Sequence, residues 1–286
     1  MRIDIKTNRF YAFLLITVIY VLAVAVGILT FNLLKFDIWL NLLIADVVST
    51  VFVFLFSIIL KNASVYDPYW SVQPLVILLA FACNFGIDFP SFLLLFAVFV
   101  WGIRLTANWA YTFHAFSYED WRYIRLREIS KKFYPLVNFF GIHLFPTLVV
   151  YLCTLPAVYF IILKPSISPV FIMSILICLS ATLLQGVSDY QMHKYRLKKE
   201  TPFIRTGLWK YSRHPNYLGE ILMWWGVAIA VLSSFQTLNY LIVGAIINTL
   251  MFIFISVPLA DNRQSSKTGF NEYKKETRML LPIYKK

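Results

Sequence analysis

The sequence predicts an all-α, polytopic membrane bundle of about eight transmembrane helices, with the N- and C-termini cytoplasmic. Three observations predict it. Hydrophobic residues make up 59% of the 286 positions and the mean hydropathy is +0.70, more apolar surface than a soluble domain of this length could bury. Only 14% of residues are charged, about half the usual share. The positive charges also fall overwhelmingly on alternate loops.

Apolar windows of roughly 20 residues fall at 10–33, 38–60, 72–87, 91–111, 136–163, 167–190, 216–233 and 238–258. Arg2, Lys6 and Arg9 lead into the first. The run from Phe10 to Thr30 is long enough to span and no small-residue cleavage pattern follows it, so it reads as a helix rather than a secretory signal. The third and seventh windows are short, which suits tilted or partly re-entrant segments. With the N-terminus inside, the outer loops contain only Lys35 and Lys164. Lys61 and the basic residues of 112–135, 191–215 and the tail from 259 lie inside, and Arg104 lies within a span. An odd number of spans would break this asymmetry.

No repeat or second domain is visible, so residues 1–286 read as one membrane domain. A net charge of +12 on a soluble protein would suggest nucleic acid. Beside apolar spans it points instead to membrane lipids, with no nucleic-acid partner expected. Cys83, Cys153 and Cys178 lie in apolar segments without metal-like spacing and read as buried small hydrophobes. His114, His143, His193 and His214 are scattered, so no metal site is expected. The sequence carries no signal for oligomeric state.

A lipid-exposed charge near mid-membrane costs at least ~2.5 kcal/mol, so polar groups within or beside the spans are the informative ones. They are Asp46, Asp67, Gln73, Arg104, Gln185, Asp189, Glu220 and Asp261. All but Asp46 fall towards the cytoplasmic half, which predicts a polar site at the inner face. Asp46 reads as a buried, partnered structural group. Gln185, Asp189, His193 and Arg196 follow spacings of four, four and three and so share one helical stripe. The segment from Thr206 to Glu220 is the densest polar constellation. Pro215 suits a first helical turn, Asn216 and Glu220 share a face, and Arg205, Lys210, Arg213 and His214 precede them. Cations beside a helix N-terminus suit an anion such as phosphate. Glu220 suits a ribose hydroxyl, an amide or an arginine.

These residues carry a resemblance. Arg213-His-Pro-Asn-Tyr-Leu-Gly-Glu220, preceded by Gly207-Leu-Trp-Lys-Tyr211, resembles the DUF1295 group of the steroid 5α-reductase superfamily. Asp67-Pro-Tyr-Trp-Ser71 with Pro74, Trp101-Gly-Ile-Arg-Leu105, Glu119-Asp-Trp-Arg-Tyr123, the Asp189 and Arg196 pair, and Arg263, Tyr273 and Leu281-Pro282 match its other segments in order. The likeness covers about residues 65–286. Isoprenylcysteine carboxyl methyltransferases share the Arg-His-Pro-x-Tyr core.

The resemblance implies a membrane-embedded reductase that binds NADPH from the cytoplasmic side. It would transfer hydride to the β-carbon of an activated C=C bond in a lipophilic, steroid- or lipid-like substrate drawn from the bilayer. A bacterial inner-membrane location is expected. Carried over by position, Asp189, Arg196, Tyr211, Arg213, His214, Asn216, Tyr217, Glu220 and Arg263 would line the cofactor site; Arg104 and Arg205 join them as cations on the same side. No Gly-x-Gly-x-x-Gly element follows a strand, so a Rossmann site is not the route. Hydride addition to an enone builds negative charge on its carbonyl oxygen, which calls for a hydrogen-bond donor. Where the steroid reductases have a Tyr and a Glu for this, the present chain aligns Trp101 and Gln73 or Pro74. Tyr69, Gln73 and Trp101 are the candidate catalytic groups, with Tyr66 a further donor. Two other functions fit the residues: an S-adenosylmethionine-dependent methyltransferase of a membrane thiol, amine or lipid, and a non-enzymatic lipid-binding or transport protein. A transport path would place polar groups across the bilayer, whereas here they gather at one face.

Overall fold

The computed structural model describes residues 6–198, 200–235 and 239–282. Among these the chain is helical apart from turns and one isolated bridge between Ser212 and Arg278. Arg2, Lys199, Lys285 and Lys286, which contribute to the charge asymmetry, lie outside the described residues.

Local chemistry sets the helix ends. Helix α1 (Arg9–Leu33) starts where the Asn8 side chain accepts from the N–H groups of Phe10 and Tyr11, and α2 (Ile38–Leu60) starts on Asp37 in the same way. Lys61 closes α2 in the left-handed region. Asn62 then donates to the carbonyls of Phe116 and Tyr118. A 3-10 turn (Ala63–Tyr66) leads into α3 (Tyr69–Phe85), followed by α4 (Phe89–Thr112). The short basic helix α5 (Trp121–Ser130) is capped by Asp120. A π-helical turn (Val137–Leu144) runs on into α6 (Phe145–Leu163). Then come α7 (Pro169–Lys198), α8 (Pro215–Leu232) with its proline in the first turn, and α9 (Val243–Met251). A second π turn (Phe252–Ser256), α10 (Val257–Gln264) and α11 (Phe270–Glu276) complete the chain.

Among the described residues, eight helical stretches are long and apolar enough to cross a membrane, so the chain is an integral membrane protein of the expected all-α class. Four bounds differ from the hydropathy windows by more than two residues. The third stretch begins at 63 rather than 72, because Ser64, Asp67, Ser71 and Gln73 dilute its apolar character. The fifth stretch begins at 121 rather than 136, because the charged helix α5 runs on into it. The sixth runs on to Lys198, which keeps Gln185, Asp189, His193 and Arg196 on one continuous helix. The eighth runs from 239 to 264, with α10 carrying Asp261 beyond the apolar run.

The chain packs as two compact units. Unit 1 comprises 1–79 and 105–151. Its core gathers Ile16, Ile19 and Tyr20 of α1, Val53 of α2, Val65 and Tyr66 of the 3-10 turn, and Phe113 and Phe116. The Tyr20 hydroxyl donates to the Val65 carbonyl at 3.0 Å, so the phenol is buried without loss of its bond. Asp46 is buried and partnered, as expected. Unit 2 comprises 80–104 and 152–286. Cys153 and Cys178 are buried in it, whereas Cys83 on α3 is exposed, contrary to the sequence expectation for it.

Within unit 2, α7 and α8 approach closely because glycines face the contact. A Cβ at Gly226 would come within 2.5 Å of the Cys178 sulfur and 3.1 Å of the Ser174 carbonyl oxygen. Gly219 faces Gln185 and the Ala181 carbonyl in the same manner. Small residues at such seams let membrane helices gain close packing where no hydrophobic force between helices exists. Gly226→Ala should therefore cost about 1–3 kcal/mol by overpacking, and adding Cys178→Ala should recover part of it. Thermal unfolding of the detergent-solubilised single and double variants checks this.

Candidate functional site

In unit 2 the polar side chains of three helices meet. Arg104 stands in the last turns of α4 with Trp101 one turn before it. Gln185 and Asp189 lie four apart on α7, and Asn216 and Glu220 four apart at the start of α8, so each pair shares a face. The Arg104 Nη1 reaches Asp189 Oδ2 at 2.8 Å, and its Nη2 donates to the Gln185 Oε1. The Asn216 side chain faces the same Asp189 carboxylate. Glu220 is buried, and its two carboxylate oxygens accept from indole N–H groups: Trp101 at 2.9 Å and Trp224 at 3.0 Å. The two indoles pack edge to face with centroids 4.8 Å apart.

This cluster is incompletely satisfied. The Arg104 Nε, Gln185 Nε2 and Asn216 Oδ1 are buried and have no hydrogen-bond partner. Each such atom forfeits about 1–3 kcal/mol of desolvation. Three of them beside one ion pair form a concentrated, directional demand for two acceptors and one donor.

A second group in the same unit is held almost entirely by protein partners. The sequence places Arg213 and His214 among anion ligands, but the structure spends them on protein. The Arg213 guanidinium reaches Asp261 through Nε at 3.4 Å and Nη2 at 3.0 Å. Its Nη1 donates to the carbonyls of Thr277 at 2.5 Å and Lys274 at 3.4 Å. The His214 Nε2 lies 2.9 Å from Asp261, and Tyr217 stacks on the His214 ring at 5.1 Å. The backbone agrees: the Arg213 N–H donates to the Arg278 carbonyl. The buried Tyr273 hydroxyl donates to the Trp209 carbonyl, and burial pushes that phenol above its ordinary pKa, so it stays a donor. The Arg-His pair thus clasps the C-terminal segment to the start of α8. Asp261 is the hub, a role that spacing does not show because it lies 47 residues from His214.

The remaining expected cofactor residues lie at the surface of this unit. Arg196, Arg205, Tyr211 and Arg263 are exposed, and Arg205 has a weak pairing with Glu276 at 3.8 Å. The candidate catalytic groups divide between units. Trp101 belongs to the Glu220 cluster. Tyr69 and Gln73 belong to unit 1, where the Tyr69 hydroxyl donates to Asp46 at 2.8 Å and the Gln73 amide donates to its other oxygen. All three direct a donor hydrogen at a carboxylate. Tyr66 instead shares a 2.8 Å bond with Thr147, which pairs with Thr50 at 2.9 Å.

The fold and this buried cluster define a polytopic α-helical membrane protein with a polar site built from the ends of three helices. The chain belongs to the DUF1295 family, described as a protein of unknown function, whose model matches residues 53–277. It is 29% identical over 197 residues to an uncharacterized protein of Schizosaccharomyces pombe, an alignment that covers 57% of this chain and 56% of the relative. The chain thus spans about half the length of the curated relative it matches. No solved structure matches it.

Removing a buried counter-charge strands its partners, at about 3–5 kcal/mol. Asp261→Ala should therefore lower the thermal midpoint and free the C-terminal segment. Limited trypsin digestion should then cut after Lys274 and Lys275 at protease levels that leave the parent protein intact there.

Proposed function

We propose that the chain is a membrane-embedded reductase that binds NADPH from the cytoplasmic side and transfers hydride to an activated C=C bond of a lipophilic, steroid- or lipid-like substrate. The observation that carries this reading is the set of unsatisfied atoms around Arg104. Buried polar atoms rarely go unpaired, and in a binding site the ligand supplies the partners. Two N–H donors and one acceptor suit a primary carboxamide, whose oxygen accepts and whose NH₂ donates. The nicotinamide ring carries such a group.

Further features support the fit. Glu220, one turn beyond Asn216, is fixed by two indoles rather than left to rotate. Exposed Arg196, Arg205, Lys210 and Arg263 supply cations for phosphates. The cofactor, when bound, supplies the hydride; the protein's part is to hold the ring, fix its orientation and exclude water. The ordered motifs noted in the sequence point to the same chemistry.

Saturable binding of NADPH to the purified, reconstituted protein is expected, measured by quenching of tryptophan fluorescence. Asn216→Ala should weaken it about tenfold, the effect of one lost buried bond, while the variant remains inserted and folded. Binding of S-adenosylmethionine without binding of NADPH would overturn the reading in favour of a methyltransferase.

A further inference from the structure

Unit 1 contains a second place where buried polar groups lack partners, and there the missing groups have the opposite sense. His143 lies on the π-helical turn and is wholly buried. Its Nδ1 is 2.9 Å from the backbone carbonyl oxygen of Asn138. A carbonyl can only accept, so Nδ1 carries the proton, and in the neutral ring Nε2 is a bare acceptor. That Nε2 has no partner.

Asn138, on the same π turn, repeats the pattern. Its Nδ2 donates to the Ser57 hydroxyl oxygen at 3.2 Å, and that hydroxyl spends its own proton on the Phe54 carbonyl at 2.8 Å. Ser57 can therefore only accept, which fixes the amide orientation. The Asn138 Oδ1 is left as a second buried acceptor without a donor.

The surroundings limit what can pair with these two acceptors. The imidazole packs on Tyr66 with ring centroids 4.7 Å apart and on Phe54 at 5.3 Å. Among the described residues, the groups recorded against the ring are the Asn138 carbonyl, Phe54 and Tyr66, none of which balances a cation. The turn lies within a membrane-spanning stretch. π turns cost regular hydrogen bonding and recur where a helix serves a ligand.

We propose that unit 1 binds the hydroxyl group of a lipophilic alcohol, which donates its proton to His143 Nε2 while the hydrocarbon lies against the neighbouring aromatic rings. This site is independent of the NADPH reading, since it uses none of the residues of that cluster.

The full chain, labelled with ¹⁵N-histidine and held in phosphatidylcholine nanodiscs, tests it. The probes are n-dodecanol, farnesol and cholesterol, each against its methyl ether, which keeps the hydrocarbon and loses the donor. His143→Phe assigns the resonance among the four histidines. A saturable upfield shift of the His143 Nε2 signal with at least one alcohol and none of the ethers is expected. His143→Phe should bind that alcohol about tenfold more weakly, the effect of one buried bond, with ether binding unchanged. Equal binding of alcohol and ether overturns the proposal. So does an Nε2 signal that is already hydrogen-bonded and indifferent to every alcohol, which marks a resident water. If His143→Phe fails to fold, selective labelling in His114, His193 and His214 variants assigns the signal, and the wild-type titration decides.

Discussion

A guanidinium among apolar helices has to be neutralised by the protein itself. Placing an arginine at the centre of a membrane helix costs about 2.5–3.5 kcal/mol even on lenient scales, and an exposed one would pull its helix towards the interface. Arg104 avoids this by pairing with Asp189 and Gln185 on α7. Asp189 also faces Asn216 at the start of α8. One charge therefore dictates the approach of three helices. Gly219 and Gly226 permit that approach, and the close seam brings Glu220 under the indoles of Trp101 and Trp224.

Much of this was legible in the sequence, and the boundary of what was legible has a physical cause. Hydropathy reports the cost of leaving water, so it located all eight spans, and it failed where a span is built from polar residues, as at Ser64, Asp67 and Gln73. Helical spacing reports shared faces, so it joined Gln185 to Asp189 and Asn216 to Glu220. It is silent on pairing between distant segments. Nothing local to Asp261 shows that it will gather Arg213 and His214, and nothing local to Asp46 shows that Tyr69 and Gln73 will turn to it. The π turn at 137–144 was equally invisible, because an apolar run such as Val137-Asn-Phe-Phe-Gly-Ile-His-Leu144 has no periodicity that separates it from an ordinary helix.

The two arginine–aspartate pairs show how a structural ion pair differs from a site. Both join a guanidinium to a carboxylate at about the ordinary distance, and both lie among residues that the sequence marks as informative. In the Arg213 pair every guanidinium nitrogen has an acceptor, two on Asp261 and two on carbonyls of the C-terminal segment. Four of its five N–H donors are thereby committed to the protein, which leaves little to offer a ligand. In the Arg104 pair Nε is unused, and the gap is matched by Gln185 and Asn216.

The same bookkeeping separates the two units by chemistry. The Arg104 cluster lacks mainly acceptors, whereas His143 and Asn138 lack donors. A single kind of polar group could not satisfy both. A carboxamide, as proposed for the nicotinamide, would answer the first, and a neutral hydroxyl would answer the second. Which hydrogen each buried side chain has already committed is therefore more informative than which residue types are present. It separates Arg213 from Arg104, which composition and motif treat alike, and it brings out His143, which motif reading passes over.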